Sequence, residues 1–299
     1  MIISASRRTD IPAFYIEWFM NRIEQGFFYS INPFNPKQIK AVSLRSDDVD
    51  AIVFWTKDAA PMLKYLDKLD DKGYKYYFQY TINDYPAIFE PHMKPVEERI
   101  ETFIRLSQKI GKSRVVLRYD PIIVSNFTPL DYHIEKFGEI AERLSGFAER
   151  VVISFVDFYG KVSNRWKRLI DTGALKLMDI TKPEHAWEIN FLVSELIKIA
   201  GSAGMEIFSC AEKADFSRLG MKRGSCIDAN LINRIFGLNI HARRDRNQRK
   251  ECLCAESVDM GMYNTCPHLC TYCYANLKEQ TVKKNVARHD ATSPFLIGS

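Results

Sequence analysis

Seven cysteines carry most of the chemistry this sequence offers. All fall late in the chain, at positions 210, 226, 252, 254, 266, 270 and 273. In Cys266-Pro-His-Leu-Cys270-Thr-Tyr-Cys273, thiolates stand four and three residues apart. That spacing lets three thiolates wrap one face of a [4Fe–4S] cube, leaving one iron open to an exogenous chelate. A tetrahedral zinc site is the alternative, with His268 or Cys254 as fourth ligand. His268 lies in the loop between two ligands, where an exposed histidine is the plainer expectation. A reducing compartment and an odd thiol count both point to metal rather than disulfides.

Such residues need elements to position them. Six short apolar runs, Met1–Ala5, Ala51–Trp55, Tyr74–Thr81, Arg114–Arg118, Val151–Phe155 and Glu206–Ser209, read as parallel strands covered on both faces. Helical patterns separate them. Asp10 caps one, with Pro12 in its first turn and Gly26 at its end. Another runs from Pro95 to Ile110 and stops at Gly111. Thr128 opens a third, with Leu130, Ile134, Phe137, Ala141 and Leu144 on one face. Thr181-Lys182-Pro183-Glu184 reads as a capping box for a fourth. The alternation predicts an α/β fold, a partial (β/α)6 TIM-type barrel over residues 1–240. Residues 241–299 form a cysteine-rich segment and tail docked at the barrel mouth. An open doubly wound sheet is the rival.

In a barrel, chemistry sits at the C-terminal ends of the strands. The first strand leads to Arg7, Arg8 and Asp10, the second to Lys57, and the sixth to Glu212. These five are substrate candidates, and two rim arginines suggest an anionic substrate, although helix capping alone explains Asp10. Gln79, Arg118, Asp120 and Ser154 occupy the third, fourth and fifth strand ends. A structural ion pair is the simpler reading of Arg118 and Asp120. Trp55 is expected to pack the barrel.

The Cys266–Cys273 segment resembles the signature of the radical S-adenosylmethionine (SAM) superfamily, C-x3-C-x-aromatic-C, with Tyr272 at the aromatic position. Tyr274-Ala275-Asn276 continues much as in the spore photoproduct lyase group. Over nearly its whole length the chain resembles the bacterial family known as domain of unknown function eighteen-forty-eight. It shares the opening Ser4-Ala5-Ser6-Arg7-Arg8-Thr9-Asp10-Ile11-Pro12, the Val53-Phe54-Trp55-Thr56-Lys57 run and the terminal cysteines. The radical SAM resemblance implies a [4Fe–4S] cluster on Cys266, Cys270 and Cys273, with SAM on its open iron. That superfamily usually carries the triad after strand one; here that loop, Ser6–Pro12, has no cysteine. A barrel gathers all its strand ends at one face, so a C-terminal segment can deliver the cluster there. Tyr272, Arg118, Asp120, Gln79 and Ser154 are the cofactor-binding candidates: arginine suits SAM's carboxylate, and an acid accepts from ribose hydroxyls. Cys210, Cys226, Cys252 and Cys254 suit a second, fully coordinated [4Fe–4S] cluster or a four-thiolate zinc site.

Composition narrows the classes. Among 299 residues, 42 Lys and Arg against 37 Asp and Glu give +5, too mild to indicate a nucleic-acid or membrane binder. An apolar content of 46% supports a globular core. No apolar run reaches the ~18 residues of a membrane span, and no signal peptide is read at the N-terminus, so the chain is expected in the cytoplasm. P-loop, G-x-S-x-G and G-x-G-x-x-G motifs do not occur. The sequence reads as a radical SAM enzyme of unknown substrate, reduced by a donor such as flavodoxin or ferredoxin. Its rival is a non-enzymatic zinc- or iron–sulfur-stabilised nucleic-acid-binding protein, resting on the basic run 243–250.

Overall fold

The fold is known from a computed structural model that describes residues 1–298. In chain order its strands are β1 (Ile2–Ala5), the hairpin β2 (Phe27–Asn32) and β3 (Asn35–Ser43), β4 (Ala51–Thr56), β5 (Tyr76–Thr81), β6 (Val115–Ile122), β7 (Val124–Ser125), β8 (Arg150–Phe155), β9 (Leu177–Met178), β10 (Glu206–Cys210), β11 (Lys222–Gly224) and β12 (Val258–Asp259). The helices are α1 (Ile11–Phe14), α2 (Ile16–Gln25), α3 (Leu66–Asp71), α4 (Val96–Ile110), α5 (Leu130–Arg143), α6 (Gly160–Asp171), α7 (Ala186–Ser202), α8 (Ala229–Phe236) and α9 (Glu279–Ala287).

All six apolar runs become strands of one sheet, ordered β11-β10-β8-β6-β5-β4-β1-β12, with every pair parallel. The sheet is not closed; β11 and β12 are its edges. Its six central strands lie in chain order, whereas a doubly wound sheet reverses at a switch point. Alternate side chains divide between two layers. Ile3, Phe54, Phe78, Leu117 and Ile153 pack against α2, α4, α5 and α7. Ile2, Val53, Tyr77, Val116 and Val152 pack against α8 and a stretch that carries Cys226, Cys252 and Cys254.

The local signals are met unevenly. Asp10 caps α1, accepting from the Ala13 N–H at 3.0 Å, and Gly26 closes α2 in the left-handed region (φ 77). The expected single helix breaks at Tyr15, whose hydroxyl donates to the Thr265 carbonyl at 2.5 Å. No capping box forms at Thr181, which bonds to Asp179 instead, and a 3₁₀ turn at Pro183–His185 leads into α7. The Thr128 hydroxyl goes to the Ile123 carbonyl, so α5 starts without a side-chain cap. At both places a nearby upstream acceptor takes the hydroxyl that would have capped the helix.

The residues beyond 240 are built into the sheet. β12 extends it beside β1, with Val258 opposite Ile3, and Leu296 and Ile297 join the main core. The Trp18 indole N–H reaches the Ser293 carbonyl at 2.9 Å. Among the described residues no helix is long and apolar enough to cross a membrane.

One buried histidine makes the fold acid-sensitive. His133 on α5 is fully buried, within 3.0 Å of the Tyr119 hydroxyl and 2.9 Å of the Ile123 carbonyl. Burial lowers its pKa from 6.5 to about 4. Below the unfolded value the unfolded chain takes up a proton that the native imidazole refuses, so stability present above pH ~6.5 is lost as pH falls toward 4. His133→Gln is expected to remove that loss, worth about 3 kcal/mol for a shift of this size, in urea unfolding compared at pH 7 and pH 4.5. Equal acid loss in both proteins would refute the assignment.

Candidate metal and cofactor site

Parallel strands end together, and here their C-terminal ends surround a cavity of about 430 Å³. Thr56 and Lys57 follow or end β4, Thr81 ends β5, Asp120 lies on β6, Ser154 on β8 and Cys210 ends β10. All seven cysteines line this one cavity.

They form two groups. Cys210 Sγ lies 2.9 Å from Cys226 Sγ, the Ile227 N–H meets Cys254 Sγ at 3.5 Å, and Cys252 and Cys254 are buried in the same cluster. The Arg118 guanidinium sits over this group. It donates to Cys226 Sγ at 2.9 Å and to Gln79 at 3.2 Å, pairs with both oxygens of Asp120, and lies 5.2 Å from the Trp55 ring centre. Burial opposes its charge, but Asp120 and the Cys226 and Cys210 thiols hold Arg118 firmly protonated. In turn, a hydrogen bond from Cys226 and then the charge of Arg118 lower the Cys210 pKa. A buried cation in contact with the Cys226 sulfur suits a group that becomes anionic.

The other group, Cys266, Cys270 and Cys273, rides on a loop gripped from several elements. Arg165 of α6 donates to the carbonyls of Thr271, Cys273 and Asn276. The Trp166 indole N–H meets Thr271 Oγ1 at 2.9 Å, and Asn276 Nδ2 meets the Cys266 carbonyl at 2.9 Å. The Tyr272 hydroxyl donates to the buried Glu90 carboxylate, which also takes Lys57 Nζ at 2.8 Å. Burial pushes the Cys270 thiol up to about 12 and raises Cys266 as well. Metal binding here would therefore displace protons.

Thiols are the donor type that iron–sulfur chemistry uses. Among the described residues, no three His, Cys, Asp or Glu side chains stand arranged as they are around a single ion.

The other candidates have their own places. Arg7 lies 3.5 Å from Asp245 and 3.9 Å from Asp259, and its backbone N–H donates to Asp259. Arg8 lies over the Tyr263 ring at 5.1 Å and lines the cavity. Ser154 donates to Asp120 at 3.2 Å. Glu212 accepts from the Phe155 N–H at 2.9 Å, and burial raises its carboxyl to about 7. His268 departs from the exposed-loop expectation: it is 5% exposed, and its Nε2 lies 2.9 Å from Asp10. Trp55 packs against the sheet's second layer, as expected, and also lines the cavity. Reasoning from sequence missed Glu90, Arg165 and Asp259, because the partners that tie them into the site (Tyr272, the carbonyls of Thr271, Cys273 and Asn276, and Ser4, Ser6 and Arg7) lie more than a hundred residues away. The Asp–His pairing likewise had no local signal.

The chain belongs to the family described as Domain of unknown function (DUF1848), whose match covers residues 2–275. A comparison with curated proteins finds none that matches.

The cysteine segment is tied to β1 through Asp259, which accepts from Ser6 Oγ at 2.5 Å and from the Gly261 N–H at 2.9 Å. A Cβ at Gly261 would lie 2.0 Å from Ser6 Oγ and 2.5 Å from Ser6 Cβ. Gly261→Ala is expected to destabilise the protein by about 1–3 kcal/mol in denaturant unfolding. Ser6→Gly in the same chain should recover part of the loss. Strictly additive effects would show that the two residues do not meet.

Proposed function

We propose that the protein is a radical SAM enzyme built on a partial barrel, with two iron–sulfur centres facing one substrate cavity. The observation that carries this reading is the cavity itself. Seven cysteines spread over 64 positions of sequence converge on it in a group of three and a group of four, at the C-terminal strand ends. The sequential strand order, with α2, α4, α5 and α7 on one face, supports the barrel-like description.

Cys266, Cys270 and Cys273 would hold the cluster with an open iron. Cys210, Cys226, Cys252 and Cys254 would hold a second cluster, with zinc as the alternative occupant. When bound, such a cluster with SAM supplies one-electron cleavage to methionine and a 5′-deoxyadenosyl radical that takes hydrogen from substrate. The chain's own residues prepare the place. Arg165 and Glu90 fix the triad loop, Arg118 balances the charge of the four-cysteine group, and the cavity walls limit water. Arg8 on the rim favours an anionic substrate. An electron must come from outside, from a donor such as flavodoxin or ferredoxin in a cytoplasmic setting.

The basic run offers less to nucleic acid than its composition suggests. Arg244 donates to the Cys252 and Lys250 carbonyls, and Arg249 pairs with Asp157 at 2.5 Å.

Anaerobically reconstituted protein is expected to hold about two [4Fe–4S] clusters per chain by iron and sulfide analysis. Replacing Cys266, Cys270 and Cys273 with Ala should remove one cluster, leave the other visible by electron paramagnetic resonance, and abolish 5′-deoxyadenosine formation under dithionite. Full iron content in the triple variant, or zinc at both sites, would overturn the reading.

A further inference from the structure

We propose that Thr9, Trp55 and His268 form the polar recognition set for the ligand of the Cys266–Cys270–Cys273 group, and that this ligand presents hydrogen-bond donors and acceptors together, as an amino-acid zwitterion or a ribose does. The inference rests on the functional reading above and adds the residues that would select SAM.

Three residues that line the cavity each carry a buried polar atom with no hydrogen-bond partner: Thr9 Oγ1, Trp55 Nε1 and His268 Nδ1. Thr9 is 7% exposed and His268 5%, so bulk water does not serve them freely. Buried polar atoms are nearly always paired, and several orphans around one cavity mark a place for a ligand.

Each is held in position by protein on its other side. His268 Nε2 meets Asp10 at 2.9 Å, and Asp10 is itself fixed by the N–H groups of Ala13 and Lys57. Phe14 packs edge-on against the imidazole, with ring centres 4.6 Å apart. A carboxylate only accepts, so Nε2 carries a hydrogen, and in the neutral ring Nδ1 is then the acceptor. The Trp55 ring is held under Arg118, which leaves its N–H as an obligate donor. The Thr9 hydroxyl can do either.

The wall therefore offers one donor, one acceptor and one hydroxyl. A phosphate or simple carboxylate supplies acceptors alone and would leave His268 unpaired. SAM has an ammonium, a carboxylate and a ribose diol, enough to meet all three. The arginines are less available: Arg118 is occupied by Asp120, Gln79 and Cys226, and Arg7 by the carboxylates of Asp245 and Asp259. Recognition passes to neutral atoms.

The test uses the cluster-loaded full chain kept anaerobic, with SAM titrated by calorimetry and by its effect on the paramagnetic spectrum of the reduced triad cluster. Thr9→Val keeps size and shape, and Trp55→Phe keeps an aromatic ring while removing the N–H; each is expected to weaken SAM binding about three- to tenfold with unchanged iron content. His268→Leu should weaken it at least as much. Wild-type affinity in both Thr9→Val and Trp55→Phe would overturn the inference while leaving the functional reading intact. Failure of the loaded wild-type protein to bind SAM would overturn both.

Discussion

The Asp259 carboxylate is the joint on which the arrangement depends. It accepts from Ser4 Oγ, Ser6 Oγ and the backbone N–H groups of Arg7 and Gly261. Two of those donors are serines of the chain's opening, and Asp259 lies just before the cysteine motif. The pairing of β12 with β1 is only two residues long, too short to fix a register alone. A carboxylate receiving several hydrogen bonds provides a directional lock that a short parallel ladder lacks. The triad loop can then be placed at the sheet's C-terminal edge despite its distance in sequence.

Around that joint, charge is buried in matched sets. Glu90 is fully enclosed; burial opposes its ionisation, but Lys57 and Arg99 hold its carboxyl below the usual range. Through the Tyr272 hydroxyl the same carboxylate grips the cysteine motif. Arg118 and Asp120 do the corresponding work beside the four-cysteine group. Buried ion pairs of this kind add little net stability, because desolvation offsets attraction, yet breaking one leaves an isolated charge and is costly. Their contribution is to fix geometry where sulfur atoms must converge.

The division of labour between the two sheet faces follows from the same economy of layers. One face packs against helices in the ordinary way, and its aromatic side chains fill the core. The other is covered by α8 and cysteine-bearing loops, whose buried thiols pack among its apolar side chains.

The six central strands were legible because each is an unbroken apolar run, and only strands covered on both sides read that way. The Cys266, Cys270 and Cys273 spacing was legible, as were the Asp10 cap and the Gly26 stop, which act within a few residues. The hairpin β2–β3 and the edge strands β11 and β12 were not: they are polar or two to three residues long, and their pairing is decided by what lies beside them. The same holds within the site. The Arg118–Asp120 pair was legible two residues apart, but Arg7 looked like a free cation in sequence until folding set Asp245 and Asp259 beside it. His268 looked exposed, but Asp10 meets it across 258 positions of chain. The sequence by itself determined which residue types could do chemistry and which runs could be strands, because those follow from local pattern. Which of them face the cavity, and which are already spoken for, was decided by tertiary structure, because a partner is a matter of distance in space.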